Sequence, residues 1–167
     1  MDHPAKRERG KAPSWKSHPA RAHLRALYAE VDRALAPYSC DASTECCRFG
    51  ITGREPYPTA VERAELQHAI AGLGGERALV RRLPIAAAAA AERACPLLSE
   101  TGKCRVYASR PFGCRTFFCD RVIGPGKLPR AEIQRISRDI AALSAATFPS
   151  DPHARPLTHV VKTPENR

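Results

Sequence analysis

The chain has 167 residues, enough for one domain that buries a core without disulfide support. It carries 27 basic and 17 acidic residues, a net charge of +10, and it lacks the roughly 18 consecutive apolar residues that a membrane-spanning helix needs. We therefore expect a cytoplasmic protein with no membrane contact, in a compartment where thiols stay reduced.

Residues 1–20 are rich in basic residues and proline and show no helical periodicity, which predicts a disordered basic leader. The segment has no uninterrupted apolar stretch of the kind a secretory signal needs. Residues 1–25 hold seven Lys or Arg against two Asp or Glu, hence +5, half of the net charge. The leader is a candidate contact for nucleic acid or an acidic protein, although Trp15 is its only aromatic and no base-reading motif accompanies it.

Three amphipathic helices are predicted along the chain. The first runs from Arg21 to Ala36 and ends at Pro37. The second begins at Thr59, whose side chain forms a capping box with Glu62, and the third opens at Pro129. Short helices are expected at 76–82 and, as a connecting segment, at 85–94. The expected inner faces are Leu24, Leu27, Tyr28, Val31 and Leu35 in the first helix, Leu66, Ala69, Ile70 and Leu73 in the second, and Ile133, Ile136, Ile140, Leu143 and Thr147 in the third.

Residues 95–107 are predicted as a β-hairpin, because CPLL and KCRVY flank the turn sequence SETG. A four-residue loop would place Leu97 opposite Cys104, with Cys95 and Cys104 on one face of the pleat, whereas a five-residue loop would separate them. Ser109 is then expected to cap a short helical turn. The predicted fold class is α+β, a small mainly helical domain with a short β-hairpin, spanning residues 21–149. Residues 150–167 are predicted to be a C-terminal tail that docks through LTHVV alone.

The seven cysteines fall into two groups about fifty residues apart, which raises four possibilities. Their odd number and the reducing compartment argue against a disulfide framework. Burial as small apolar residues is common for free cysteine, and no Cys-His-Asp arrangement for a reactive thiol is visible. A metal centre explains why ligands converge from two separate segments. The candidate ligands are Cys40, Cys46, Cys47, Cys95, Cys104, Cys114 and Cys119.

Adjacent Cys46 and Cys47 tend to point apart, so either one binds metal while the other packs, or the pair serves two metals through a bridging thiolate. Arg110 and Arg115 stand beside the second group, where a guanidinium can donate hydrogen bonds to ligand sulfur and offset its negative charge. Arg105 is expected at the surface. The expected cofactor is an iron–sulfur cluster or a zinc ion.

The stretch CPLLSETGKCRVYASRPFGCRTFFC resembles the second half of the YkgJ-type cysteine-cluster family, the CxxCxxCC type, which is described as zinc- or iron-chelating. In the first half, CDASTECC keeps Cys40, Cys46 and Cys47 but has Ser43 where the family has a further cysteine. The resemblance implies metal chelation, with fewer thiols or with Ser43 or Asp41 as an oxygen ligand. The positions on the pattern of the second half are Cys95, Pro96, Leu98, Gly102, Cys104, Val106, Tyr107, Arg110, Pro111, Cys114, Arg115 and Cys119.

Two functions of different classes follow. The first is a metal-binding protein whose iron–sulfur cluster has a redox or electron-transfer role with an unknown redox partner. The alternative is a zinc-stabilised binding module whose basic leader contacts nucleic acid or an acidic protein. The excess of cysteines, the lack of regular C-x2-C knuckles and the scarcity of histidine near them favour iron. An enzyme that uses the metal as a Lewis acid is a third idea, but no catalytic constellation is visible beyond the metal centre.

Overall fold

The computed structural model describes residues 14–39, 44–80, 93–116 and 122–161. Within these ranges the secondary structure is helical, and none of the helices is long and apolar enough to cross a membrane. The α-helices are α1 Pro19–Leu35, α2 Phe49–Thr52, α3 Ala60–Gly72, α4 Glu76–Val80, α5 Phe112–Arg115, α6 Arg130–Thr147 and α7 Leu157–Val160. Single 3-10 turns cover Trp15–Ser17, Glu45–Cys47 and Tyr107–Ser109.

The three predicted amphipathic helices are confirmed as α1, α3 and α6. Their apolar stripes meet because residues three and four apart share a helix face. In α3, the backbone N–H of Thr59 donates to Glu62 Oε2 at 2.8 Å, as the capping box requires. Leu73 follows the end of α3 and is 42 % exposed, so its assignment to the inner face was wrong. The scaffold core formed here consists of Leu24, Leu27, Tyr28, Val31, Leu35, Val61, Ile136 and Ile140.

The predicted β-hairpin, and with it the α+β class, is wrong. In the described ranges the segment forms no strand, and its only ladder contact is an isolated antiparallel bridge between Leu98 and Cys104. The connection is therefore five residues long, and Leu98 rather than Leu97 lies opposite Cys104. The described part of the chain belongs to the all-α class.

Local hydrogen bonding explains why this pairing does not extend. Pro96 has no N–H to give to a ladder. The N–H of Leu98 donates back to Cys95 O at 3.0 Å, and the N–H of Ser109 donates to Val106 O at 2.8 Å. The start of the first predicted strand and the end of the second are therefore part of turns.

A second apolar cluster, the cysteine-side core, lies around these turns. α3 reaches it through its second half, and α7 docks on it through Leu157 and Val160. There, Thr158 donates from its backbone N and its hydroxyl to Glu55 Oε1, at 2.7 and 2.6 Å. The prediction that the tail docks through LTHVV alone was wrong, because the N–H of Arg155 also donates to Pro58 O at 3.1 Å and Asp151 pairs with Arg63. The members of the cluster are Phe49, Leu66, Ile70, Leu79, Cys95, Leu97, Val106, Leu157, Val160 and Val161.

Some predictions fall wholly or partly outside the described ranges. The connecting helix at 85–94 is one of them, because residues 81–92 are not described. Of the predicted leader the structure describes residues 14–20, where Trp15 packs against the scaffold core and donates from Nε1 to Glu65 at 3.0 Å. The domain limits at 20/21 and 149/150 stay predictions.

Candidate metal centre

The two cysteine groups are joined through the main chain. The backbone N–H of Cys95 donates to Cys47 O at 2.7 Å, and the N–H of Phe49 donates to Arg93 O at 3.1 Å. Between these bonds, Arg48 and Ala94 form an isolated antiparallel bridge. The segment after Cys47 therefore lies alongside the segment before Cys95, which brings together residues about fifty positions apart.

Strained backbone lies on both sides of this junction. Thr44 has φ 60° and Arg93 has φ 46°, the left-handed region that side chains with a Cβ rarely adopt. Thr44 begins the 3-10 turn that carries Cys46 and Cys47, and its carbonyl accepts from Cys47 N at 2.8 Å. Such strain costs about 1–3 kcal/mol per residue and clusters at functional sites, where surrounding contacts maintain it.

Cys95 is 8 % exposed and forms part of the cysteine-side core. Burial raises the pKa of its thiol to about 12, and the charges of Cys104 and Cys46 act in the same direction. Backbone hydrogen bonds from Leu97 and Leu98 oppose this rise. Amide donors directed at sulfur stabilise a thiolate, the form that binds metal.

Cys104 and Cys114 are half-buried. Burial is the largest cause that raises the pKa of each thiol, and a backbone hydrogen bond from Val106 opposes it at Cys104. The charges of Cys95, Cys104 and Cys46 also raise the pKa of Cys114. Cys114 lies in α5, where its N–H donates to Pro111 O at 2.9 Å.

The pKa values of the adjacent Cys46 and Cys47 thiols are shifted in opposite directions. A hydrogen bond from Cys47 lowers the pKa of the exposed Cys46 thiol to about 6, against the opposing effect of burial, and the charge of Arg110 also lowers it. The same bond, followed by burial, raises the pKa of Cys47. Cys95 and Cys114 add to that rise through their charge. Cys46 is thus the thiol that ionises first.

All five described cysteines are free thiols and lie within one another's electrostatic influence. Thiols of the first group act on thiols of the second, so the structure brings both groups together. Cys40 and Cys119, like Asp41 and Ser43, lie outside the described ranges. The cysteines that the structure places at this site are Cys46, Cys47, Cys95, Cys104 and Cys114.

The flanks of the two remaining cysteines are also paired. Ser39, which precedes Cys40, and Ile123, four residues after Cys119, exchange two backbone hydrogen bonds of 2.9 Å each. Tyr38 packs so tightly here that a Cβ on Gly124 would overlap its ring. In residues 14–39, 44–80, 93–116 and 122–161, no three His, Cys, Asp or Glu side chains stand close enough together to hold a metal ion.

The two arginines predicted to donate to sulfur have different surroundings. Arg115 is 7 % exposed, and its three guanidinium nitrogens contact oxygens: Nε lies 3.0 Å from Arg110 O, Nη2 lies 2.8 Å from Ala108 O, and Nη1 contacts Asp32. Its guanidinium also stacks on Tyr28, 4.1 Å from the ring centroid. Arg115 therefore holds the α5 segment against α1.

Arg110 lies within electrostatic range of the thiols. Its charge lowers the pKa of Cys46, Cys104 and Cys114, which come from both cysteine groups. Its Nε is buried and has no hydrogen-bond partner, alone among the buried side-chain nitrogens and oxygens of the described ranges. A soft, all-sulfur donor set with a guanidinium beside it suits zinc or iron–sulfur chemistry. The residues present therefore fit the expected cofactor in donor type and in charge.

Two buried glutamates of α3, which the sequence analysis missed as site residues, position the second cysteine group. Glu65 is fully buried and accepts from Arg21 Nε at 2.8 Å and from Ser109 Oγ at 3.0 Å. Glu62 accepts from the backbone N of Phe112, the first residue of α5, at 2.7 Å. The sequence did contain a signal for these residues, because both glutamates fall on the inner face of α3 together with Leu66.

The fold and the site define a small helical protein built around a cluster of thiols. The family model CxxCxxCC, "Putative zinc- or iron-chelating domain", matches residues 39–130, which is more than half of the chain. The protein belongs to this family and is a metal-binding cysteine-cluster protein, in agreement with the resemblance and with the expected cofactor. No curated protein and no solved structure gives a significant match.

Proposed function

We propose that the cysteine groups hold an iron–sulfur cluster and that the protein carries electrons or responds to redox state through it. The observation that carries this proposal is that five free thiols from segments 46–47, 95–104 and 114 lie within electrostatic range of one another. Iron–sulfur clusters are held mainly by cysteine thiolates, and bound clusters supply one-electron chemistry at potentials set by hydrogen bonds and exposure.

The number of thiols is sufficient for a cluster. One iron–sulfur cluster is held by four cysteines, whereas five cysteines are described here and the chain has seven. We expect Cys40 and Cys119 to complete the ligand set, because their described flanks, Ser39 and Ile123, are paired with each other. A reducing location such as the cytoplasm would keep all of these thiols available.

Buried and exposed cysteines would have different roles at the centre. Cys95 would bind from the inner side, where apolar packing excludes water. The exposed Cys46 would bind at the surface side, where solvent and a redox partner have access. The positive charge of Arg110 would offset the negative charge that several thiolates bring to the centre.

A zinc-stabilised binding module is the second candidate. It is favoured by the position of Cys95 within the cysteine-side core, because a metal bound there would tie that core together and add folding free energy. In that case the basic leader, with its charge of +5 over residues 1–25 as counted above, would be the contact for nucleic acid or an acidic protein. Loss of that contact at raised salt would be expected.

Metal analysis separates the two candidates. The full chain is purified without oxygen, and iron, zinc and acid-labile sulfide per chain are measured together with visible absorption. Stoichiometric iron and sulfide with broad brown absorption are expected. Colourless protein with zinc alone would replace the redox proposal with the zinc module, and protein that takes up neither metal would contradict both.

A further inference from the structure

Arg110 has an unexplained buried donor at the thiol cluster. Its Nε is buried without a hydrogen-bond partner, although the side chain as a whole is 23 % exposed. Leaving a buried donor unpaired is unfavourable, and more so when the group is charged. Native proteins pair nearly all such groups, so an unpaired one needs an explanation, and a bound ion is one.

The rest of the Arg110 guanidinium is fixed in place. It stacks on the ring of Tyr107 with its central carbon 4.0 Å from the centroid, and Nη2 lies 3.7 Å from Asp32 Oδ1. The backbone carbonyl of Arg110 accepts from Arg115 Nε at 3.0 Å. These contacts hold the orientation of the guanidinium while they leave Nε unused.

The charged neighbours identify the chemistry of that partner. The charge of Arg110 acts on Cys46, Cys104 and Cys114, so the guanidinium lies within electrostatic range of thiols of both groups. A centre bound by four thiolates carries net negative charge, and charge-assisted hydrogen bonds to it are about twice as strong as neutral ones. Partners of this kind orient ligands and tune a metal, and their loss typically costs about 10–100-fold in metal affinity.

We propose that Arg110 Nε donates a hydrogen bond to a ligand sulfur of the bound metal centre, and that Arg110 is thereby the positioning residue that sets metal affinity and the electronic character of the centre. The inference rests on the proposed function only in requiring a metal–thiolate centre, and it applies to zinc and to a cluster alike. Tyr107 and Asp32 serve to hold the guanidinium at the required angle.

Cobalt titration of the metal-free full chain tests this inference, because Co²⁺ reports thiolate ligation through its charge-transfer absorption. Arg110→Gln removes both the charge and the guanidinium Nε–H, and about 10–100-fold weaker Co²⁺ binding with a displaced charge-transfer band is expected. Arg110→Lys keeps the charge but lacks the planar donor. It should recover only part of the affinity lost in Arg110→Gln, and its band should stay displaced from that of the wild type. Arg135→Gln removes an arginine of α6 whose carboxylate partners are Glu30 and Asp139, and should match the wild type in both respects.

Any other result contradicts the inference, and each such result has its own meaning. Wild-type affinity and spectrum in Arg110→Gln would exclude the hydrogen bond. Weaker binding with an unchanged band would assign Arg110 a merely structural role. If circular dichroism shows that Arg110→Gln does not fold, a wild-type band in Arg110→Lys would exclude a specific role for Nε. A wild-type chain that binds no Co²⁺ would contradict the proposed function itself, and this inference with it.

Discussion

The scaffold core and the cysteine-side core are built on different principles. The scaffold core is the contact of three long helices, α1, α3 and α6, whose apolar stripes recur at helical spacing. The cysteine-side core collects side chains from turns, from helices of four or five residues and from one end of α3. Helices that short have little stability of their own, so the cysteine side depends on specific hydrogen bonds and, we propose, on metal.

The largest effect on the free energy of unfolding is expected from a substitution at Glu65, which links α1 and α3 to the second cysteine group. Glu65→Ala removes a fully buried carboxylate and leaves Arg21, Trp15 and Ser109 without their acceptor. Burial would raise the pKa of Glu65, but these hydrogen bonds outweigh it and lower the pKa. Breaking such a buried pair costs about 3–5 kcal/mol. Urea unfolding should show a loss of this size in the free energy of unfolding, whereas Gln67→Ala, at an exposed position of α3, should change it by less than about 0.5 kcal/mol.

A matched pair of core truncations separates the two sides. Ile136 in the scaffold core is 0 % exposed and Leu97 in the cysteine-side core is 2 % exposed. Truncation of either to alanine should cost about 2–5 kcal/mol in the metal-free protein. Only Leu97→Ala should also weaken metal binding, because Leu97 lies in the turn after Cys95. If Co²⁺ titration gives equal metal affinities for the two variants, metal binding depends no more on the cysteine-side core than on the scaffold core, which would contradict this prediction.

A smaller effect is expected at the paired flanks of Cys40 and Cys119. Gly124→Ala would push its methyl group into the Tyr38 ring, and overpacking of this kind costs about 1–3 kcal/mol. Displacement of Tyr38 should also break its hydroxyl donation to Lys127 O, which is 2.8 Å long. We expect weaker metal binding from this variant. Gly72→Ala, with open space around the new methyl group, is the control and should be neutral or slightly stabilising.

The smallest effect concerns reactivity rather than stability. The hydrogen bond from Cys47 lowers the pKa of Cys46 from 9.0 to about 6, so iodoacetamide should modify metal-free Cys46 with a midpoint near pH 6. The buried Cys95 should stay unreactive at that pH. Because the folded pKa is lowered, the stabilising contribution of Cys46 is present above pH 9 and is lost as the pH falls through about 6. A midpoint near 9 by mass spectrometry would contradict this division of the pair.

The sequence predicted the scaffold side well, because periodicity and capping are local signals. The stripe from Leu24 to Leu35 and the Thr59–Glu62 capping box both occur in the structure. The hairpin failed for a local reason as well: strand-like composition at 95–107 was overridden by Pro96 and by turn hydrogen bonds. Turn chemistry here outweighed β propensity.

The site was predictable in its residue types but not in its geometry. Clustering of cysteines in the sequence was enough to nominate the ligands. The bond from Cys95 N to Cys47 O, and the support of Arg110 by Asp32, join residues about fifty to eighty positions apart, and neither leaves a pattern in one sequence. The same holds for Glu65, whose partners lie in three other segments.

The most direct test of the central claim, that both cysteine groups serve one metal centre, is metal content in two matched double variants. One is Cys46→Ser with Cys47→Ser, from the first group, and the other is Cys104→Ser with Cys114→Ser, from the second. Cys95 is left in place because it belongs to the cysteine-side core. If one centre is shared, each double variant should lose nearly all the metal that the wild-type chain binds. Retention of full metal content, or of about half in each variant, would contradict a single shared centre.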